Sequence, residues 1–148
     1  MAFFASFESA WAKSKLPRAA RGRIRDRLPA SKRWLVDRAV GNAGSGLESI
    51  LRFILMQVGL HLETQVKLET VGRVDFVVRT NGRPLIIEVD GREFHTSPTQ
   101  FDEDRRRQAA ASIMGIETLN FSYDQVLRHP EQVLASIRAA MIRARDCA

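Results

Sequence analysis

Between residues 47 and 58 the apolar side chains Leu47, Ile50, Leu51, Ile54, Leu55 and Val58 recur at i, i+3, i+4, i+7, i+8 and i+11. That spacing predicts a helix with one broad buried face. Ser45 is placed to cap it, Glu48 three residues on completes a capping box, and Gly59 suits its end. The period then changes. Over 62–69 the side chains Leu62, Thr64, Val66 and Leu68 alternate with Glu63, Gln65, Lys67 and Glu69, the pattern of a half-buried strand. Two further short strands follow within 73–90, joined by Asn81-Gly82, a pair that favours a two-residue type I′ turn because both central positions take positive φ.

A two-residue loop sets the register of that hairpin. Thr80 faces Arg83, Arg79 faces Pro84 at a site where the missing N–H is not needed, and Asp75 faces Glu88. Directly opposed residues at a non-hydrogen-bonded pair stand about 4.5 Å apart at Cα. Asp90 returns to the same face about 6–7 Å further along. Three carboxylates on one patch of an otherwise apolar hairpin repel each other, and a divalent metal is the natural neutralising partner.

Beyond Asp90, 92–96 reads as a loop containing His95. Ser97, Pro98 and Gln100 open a helix predicted to run to about Met114 and stop at Gly115. A fourth strand follows at 116–122, then a helical turn at 123–127 and a last helix over about 131–145. Ahead of all this, Phe3, Phe4, Phe7 and Trp11 sit at helical spacing within 2–14. They offer an apolar face to the protein's own domain or to a partner chain, a second copy included. Pro17 and Pro29 punctuate a basic stretch at 16–27, and 31–40 forms another short helix. The order is α-β-β-β-α-β-α after a helical extension, so the expected fold class is α/β: a mixed sheet with helices packed on it. The expected division is an extension at 1–44 and a catalytic-type domain at 45–148.

Charge adds one feature to this outline. Over 13–38 there are ten Lys/Arg against Asp26 and Asp37, a net +8 where the whole chain carries +6, which leaves the remainder at −2. A near-neutral body with a basic arm is the distribution of a polyanion binder, with Arg21, Arg23, Arg25, Arg27, Lys32 and Arg33 as its contact candidates. A solvated basic helix is the plainer account of the same charges. The single cysteine, Cys147, permits no internal disulfide, and no apolar run approaches a membrane span. The N-terminus has its aromatic residues ahead of its charges, the wrong order for a secretory signal, so a soluble cytoplasmic protein is expected.

The run VDFVV, then LIIEVDG, a histidine shortly after, a helix carrying D-x-x-R and the strand ETLNFS resembles the PD-(D/E)XK nuclease superfamily. Within it the likeness is to a small bacterial branch similar to very-short-patch-repair endonucleases. The resemblance covers roughly residues 45–138 and implies a restriction-endonuclease-like α-β-β-β-α-β core. It implies metal-dependent endonuclease activity, a hydrolase of phosphodiester bonds in DNA with Mg²⁺ or Mn²⁺ as cofactor. Asp75 matches the metal-binding aspartate, Glu88 the D/E position, and Glu48 the further acid of the first core helix. Asp90 occupies the position of the usual lysine and is the chief departure. His95 is the candidate for proton transfer. Lys67 is the candidate lysine substitute, because a three-residue loop at 70–72 would set it opposite Asp75, whereas a two-residue loop would set Leu68 there instead.

Ordinary roles are also open to these residues: Glu48 as a capping glutamate, Asp75 and Glu88 as surface-edge acids balanced by Arg73, Arg79 or Arg92, Asp90 as a turn residue before Gly91, His95 as a loop histidine. Asp102 with Arg106, and Glu103 with Arg107, have the i,i+4 spacing of helix ion pairs. Arg105 and Gln108 are candidates to face the site or the nucleic acid. Two alternative functions stand beside the nuclease: a nucleic-acid-binding module that keeps the fold without hydrolysis, motivated by Asp90, and a toxin or defence component docking a partner through its N-terminal aromatic helix.

Overall fold

A computed structural model of the chain describes residues 1–90 and 98–146. Two compact units make it up, Met1–Gln57 and Val58–Ala148.

The first unit holds α1 (Ala2–Ala12), α2 (Arg18–Arg27), a 3₁₀ turn (Ala30–Lys32), α3 (Trp34–Asp37) and α4 (Gly46–Gln57). Pro17 precedes α2 and Pro29 follows it, as their fixed φ and missing N–H require. On α1, Phe4 and Phe7 turn inward at i, i+3 spacing. Phe4 packs on Phe53 of α4, ring centroids 5.6 Å apart, and Phe7 and Ala39 complete the buried cluster. The aromatic face of α1 is therefore mostly consumed inside its own unit. Phe3 alone stays 40% exposed. Glu8 and Arg52 are buried between these helices as an ion pair: Arg52 Nη2 donates to Glu8 Oε1 and to Arg38 O, and Val40 N donates to Glu8 Oε1. Burial pushes the Arg52 guanidinium down to about 10. At the start of α4, Ser45 Oγ accepts from Glu48 N (3.2 Å), and Glu48 Oε2 reaches back to Gly44 N (2.9 Å). The capping box expected there is present with its return bond shifted by one residue. Gly59 takes φ +75 just past the helix.

The second unit is built on β1 (Glu63–Leu68), β2 (Gly72–Val78), β3 (Leu85–Asp90) and β4 (Glu117–Ser122), in spatial order β1-β2-β3-β4. The first two pairings are antiparallel and β3–β4 is parallel, so the sheet is mixed as expected. α5 (Pro98–Ile113) makes the crossover to β4, and α6 (Tyr123–Arg128) and α7 (Pro130–Asp146) follow. Val77 and Ile86 form a core with Ala111 of α5 and Ile116. By alternation Phe76, Val78, Leu85 and Ile87, all buried, point to the other face. α6 opens on a complete capping box, with Ser122 Oγ accepting from Gln125 N and Gln125 Oε1 from Ser122 N.

Two local expectations are corrected. The β2–β3 register is the expected one, with Phe76 opposite Ile87 and Val78 opposite Leu85, but the connection is not a type I′ turn. Neither Asn81 nor Gly82 has positive φ. Thr80 closes the loop with its side chain instead, accepting from Gly82 N and donating to Arg83 O, while Arg83 N is drawn away to Ala144 O of α7. The β1–β2 connection is a three-residue loop, but it spans 69–71 rather than 70–72. Gly72 (φ +97) opens β2 opposite Leu68, which sets Lys67 against Arg73 and leaves Gln65 across from Asp75.

Candidate active site

The site is made where the hairpin strands leave the core. Within β2 and β3 the alternation that buries Val77 against Ile86 sends the next residues of the same face, Asp75 and Glu88, to the rim. One register step beyond the Phe76–Ile87 pair sets these two carboxylates directly opposite each other. Asp90 is the following residue on that face. The parallel β4 sets Asn120 beside Glu88 and Thr118 beside Ile86. From α5, Asp104, Arg107 and Gln108 follow at i, i+3 and i+4, the turn before the core residue Ala111. Together these side chains and Arg105 line a cleft of about 640 Å³.

Asp75 is held on both oxygens. Gln65 Nε2 donates to Oδ1 (3.3 Å) and the backbone N–H of Val89 to Oδ2 (3.0 Å). Gln65 does so from φ +53, a left-handed backbone that a glutamine rarely adopts in a strand. Glu88 is half-buried, and Arg107 Nη2 donates to its Oε1 at 2.6 Å. The same guanidinium is fastened to the β1–β2 connection, with Nε donating to Val71 O (3.2 Å) and Nη2 to Arg73 O, and Nη1 stands 3.6 Å from Asp104 Oδ1. Arg107 thus pairs with Glu88 and Asp104, not with Glu103 as helix spacing alone suggests.

Burial, and after it the charge of Asp75, pushes the Glu88 carboxyl above the usual carboxylate range, with Arg107 pulling the other way. Asp90 is pushed up too, by burial first and then by Asp75 and Asp104. In both, burial is the largest cause and a neighbouring carboxylate adds to it. Among the described residues no three His, Cys, Asp or Glu side chains stand close enough together to hold a metal ion. The donor chemistry nevertheless fits a hard divalent cation: carboxylate and amide oxygens share a cleft wall, with no cysteine or histidine among its described lining residues.

Glu48, Lys67 and the basic arm lie on other elements. Glu48 belongs to the cap of α4 in the first unit, and its carboxylate accepts from Gly44 N. Lys67 is exposed on β1, off the cleft wall. His95 lies outside the described residues. In the basic arm, Arg21 lies over the Trp11 ring (4.0 Å), Arg25 is bonded to Asp37, and Arg33 Nε donates to Leu28 O. Arg23, Arg27 and Lys32 are exposed and carry no ion pair among the described residues. Arg105 lines the cleft as expected. Sequence reasoning missed Gln65, whose place depends on where the β1–β2 loop falls. It also left Arg107 as a helix-surface ion pair, although the D-x-x-R spacing with Asp104 marks one face of α5.

No helix among the described residues is long and apolar enough to cross a membrane. The chain has no significant match to a curated protein or to a solved structure. Residues 48–141 match the family model REase_MTES_1575, nearly two-thirds of the sequence and the span that holds all four strands and every acid of the cleft. The mixed sheet with its flanking helices is the α/β arrangement of that family. The chain belongs to the restriction-endonuclease-like family REase_MTES_1575.

Proposed function

We propose that this protein is a divalent-metal-dependent endonuclease that hydrolyses phosphodiester bonds in DNA. The observation that carries the reading is the opposition of Asp75 and Glu88 across β2 and β3, with Asp90 on the same face, in one cleft. Asp75, Glu88 and Asp90 are the residues that would hold Mg²⁺ or Mn²⁺. Bound there, such an ion lowers the pKa of a water ligand and offsets charge on phosphate oxygens.

The chain's own groups do the rest. Gln65 and the Val89 amide fix the Asp75 carboxylate from two sides, so its orientation is set before a ligand arrives. Arg107 limits the repulsion between Glu88 and Asp75. His95, five residues past Asp90, takes the proton-transfer role, for which an imidazole is suited. Arg23, Arg27 and Lys32 on the basic arm grip backbone phosphates without reading sequence. The likeness to very-short-patch-repair endonucleases rests on the Glu88-Val89-Asp90-Gly91 run with His95 after it. The family match beginning at residue 48 supports 45–148 as the catalytic region and 1–44 as its basic extension.

A second reading, a binding module without hydrolysis, is favoured by Asp90 in the place of the family's lysine. Supercoiled plasmid, single-stranded DNA and RNA incubated with the full chain and Mg²⁺ or Mn²⁺ separate the two. Cleavage that EDTA abolishes and that Asp75→Ala and Glu88→Ala lose supports the nuclease. Retention of labelled DNA without cleavage in either metal supports the binding module.

A further inference from the structure

Asp90 cannot supply a positive charge from β3, yet the cleft does contain a fixed cation. The Arg107 guanidinium is held by protein on two of its nitrogens: Nε on Val71 O, and Nη2 on both Arg73 O and Glu88 Oε1. These bonds leave it only 23% exposed and orient it rigidly, since a planar guanidinium anchored on Nε and Nη2 has no rotation left. Arg107 lines the cleft, and its Nη1 edge is paired with Asp104 Oδ1 at 3.6 Å and makes no hydrogen bond among the described residues. The arrangement puts an arginine edge that is held only by this ion pair in the same cleft as two opposed carboxylates.

We propose that Arg107 is the basic residue of this site: its guanidinium neutralises Glu88, competes there with a divalent ion for that carboxylate, and offers its Nη1 edge to an oxygen of the phosphate that is cut. The inference rests on the nuclease reading above for its phosphate half. Its Glu88 half stands on the observed ion pair alone. Arginine suits the task because its fork can hold backbone carbonyls and a phosphate oxygen at once, which a lysine ammonium at the end of a flexible stem cannot do as rigidly.

The test uses the full-length chain as wild type, Arg107→Gln and Arg107→Lys. Each is titrated with Mn²⁺ alone by calorimetry, and each is assayed for kcat and KM on plasmid DNA. Arg107→Gln is expected to bind Mn²⁺ about tenfold more tightly, because a unit positive charge next to Glu88 is gone. Its kcat is expected to fall about a hundredfold, with KM within about threefold of wild type. Arg107→Lys, which keeps the charge, is expected to recover part of kcat and most of the wild-type Mn²⁺ affinity. Mn²⁺ binding that is unchanged or weaker in Arg107→Gln overturns the competition. Tighter Mn²⁺ binding with kcat undiminished overturns the phosphate contact. A merely structural clamp would lower the melting temperature of both variants and give no recovery by lysine. A wild type that binds Mn²⁺ and cuts nothing defeats the nuclease reading and the phosphate contact with it, while the titration still decides whether Arg107 competes for Glu88.

Discussion

Arg107 reaches from α5 to within 2.6 Å of Glu88 Oε1, and in doing so it ties the β1–β2 connection, the β2–β3 hairpin and the crossover helix to one carboxylate. The same pair sets the electrostatics of the cleft. Arg107 pulls Glu88 toward ionisation, and burial with the neighbouring Asp75 pushes it back further.

That balance has a definite pH sign. A carboxyl whose folded pKa is raised contributes stability that is full below the ordinary carboxylate range and is lost as pH rises through the raised value. Glu88→Gln, which removes the ionised form, is therefore expected to melt above wild type at neutral pH without metal, by up to about 2 °C. The gap should close as pH falls toward about 4. Scanning calorimetry of the two proteins across that range checks it, and a Glu88→Gln protein that melts below wild type at neutral pH contradicts it. Divalent binding runs the opposite way, strengthening as pH rises, because Glu88 and Asp90 must ionise to act as ligands.

Gly72 joins the strand geometry to the cleft. It opens β2 at φ +97, between the Val71 and Arg73 carbonyls that hold Arg107. A Cβ there would meet only Arg107 Nε, at an ordinary 3.8 Å, so the cost of Gly72→Ala is conformational. It is expected to be about 1–2 kcal/mol by urea unfolding, accompanied by a shift in Mn²⁺ affinity as the Arg107 anchorage moves. A neutral substitution would mean that the backbone relaxes out of the left-handed region.

In the first unit, the buried Glu8–Arg52 pair is held by Arg38 O and Val40 N, yet Glu8 Oε2 and Arg52 Nε have no partner among the described residues. Arg52→Met leaves Glu8 charged and nearly uncompensated, and a loss of about 3–5 kcal/mol is expected. The double change Glu8→Leu/Arg52→Met should recover much of it, since two apolar side chains replace two desolvated charges. Unfolding by urea measures both. A double variant no better than Arg52→Met would show that the pair contributes more than its desolvation costs.

The basic arm divides into engaged and free charges. Arg25 is committed to Asp37, whereas Arg23, Arg27 and Lys32 are exposed without an ion pair among the described residues. Alanine at all three is expected to lower the slope of log K against log salt by about 0.9 for each phosphate no longer neutralised, while Arg25→Ala changes it little. Fluorescence anisotropy of a labelled duplex over a salt series reads the slope. An unchanged slope in the triple variant places the phosphate-binding charges elsewhere on the chain.

Much of this architecture is legible in the chain. Alternation at Leu62, Thr64, Val66 and Leu68, and the helical repeat from Leu47 to Val58, mark β1 and α4 because a half-buried strand and a buried helix face impose different periods. The Asp75–Glu88 opposition follows from a connection centred on Asn81-Gly82, so it survives even though the paired strands stop at Val78 and Leu85 and Thr80 and the pull of Ala144 O on Arg83 replace the expected I′ turn. What is not legible depends on single-residue choices. Whether Gly72 ends the loop or begins the strand moves the partner of Asp75 from Lys67 to Gln65, and both choices preserve the hydrophobic pattern. Arg107 is hidden for another reason: the D-x-x-R spacing fits Asp102 with Arg105 as well as Asp104 with Arg107, so it marks two faces of α5 and does not choose between them. Glu48 shows a residue at a family position that also has a local backbone role, its carboxylate accepting from Gly44 N.

Whether Asp75 and Glu88 together form a divalent-ion site that cuts DNA is tested most directly by the rate of plasmid nicking as a function of Mn²⁺ concentration. The proteins to compare are wild type and Asp75→Asn, a substitution that keeps the size of the side chain and an acceptor for the Val89 amide. Wild type is expected to nick with a saturable dependence on Mn²⁺, and Asp75→Asn to lose at least about a hundredfold in rate while melting within a few degrees of wild type. Nicking at equal rates by the two proteins, or nicking by wild type that is indifferent to Mn²⁺ and to EDTA, would contradict the claim.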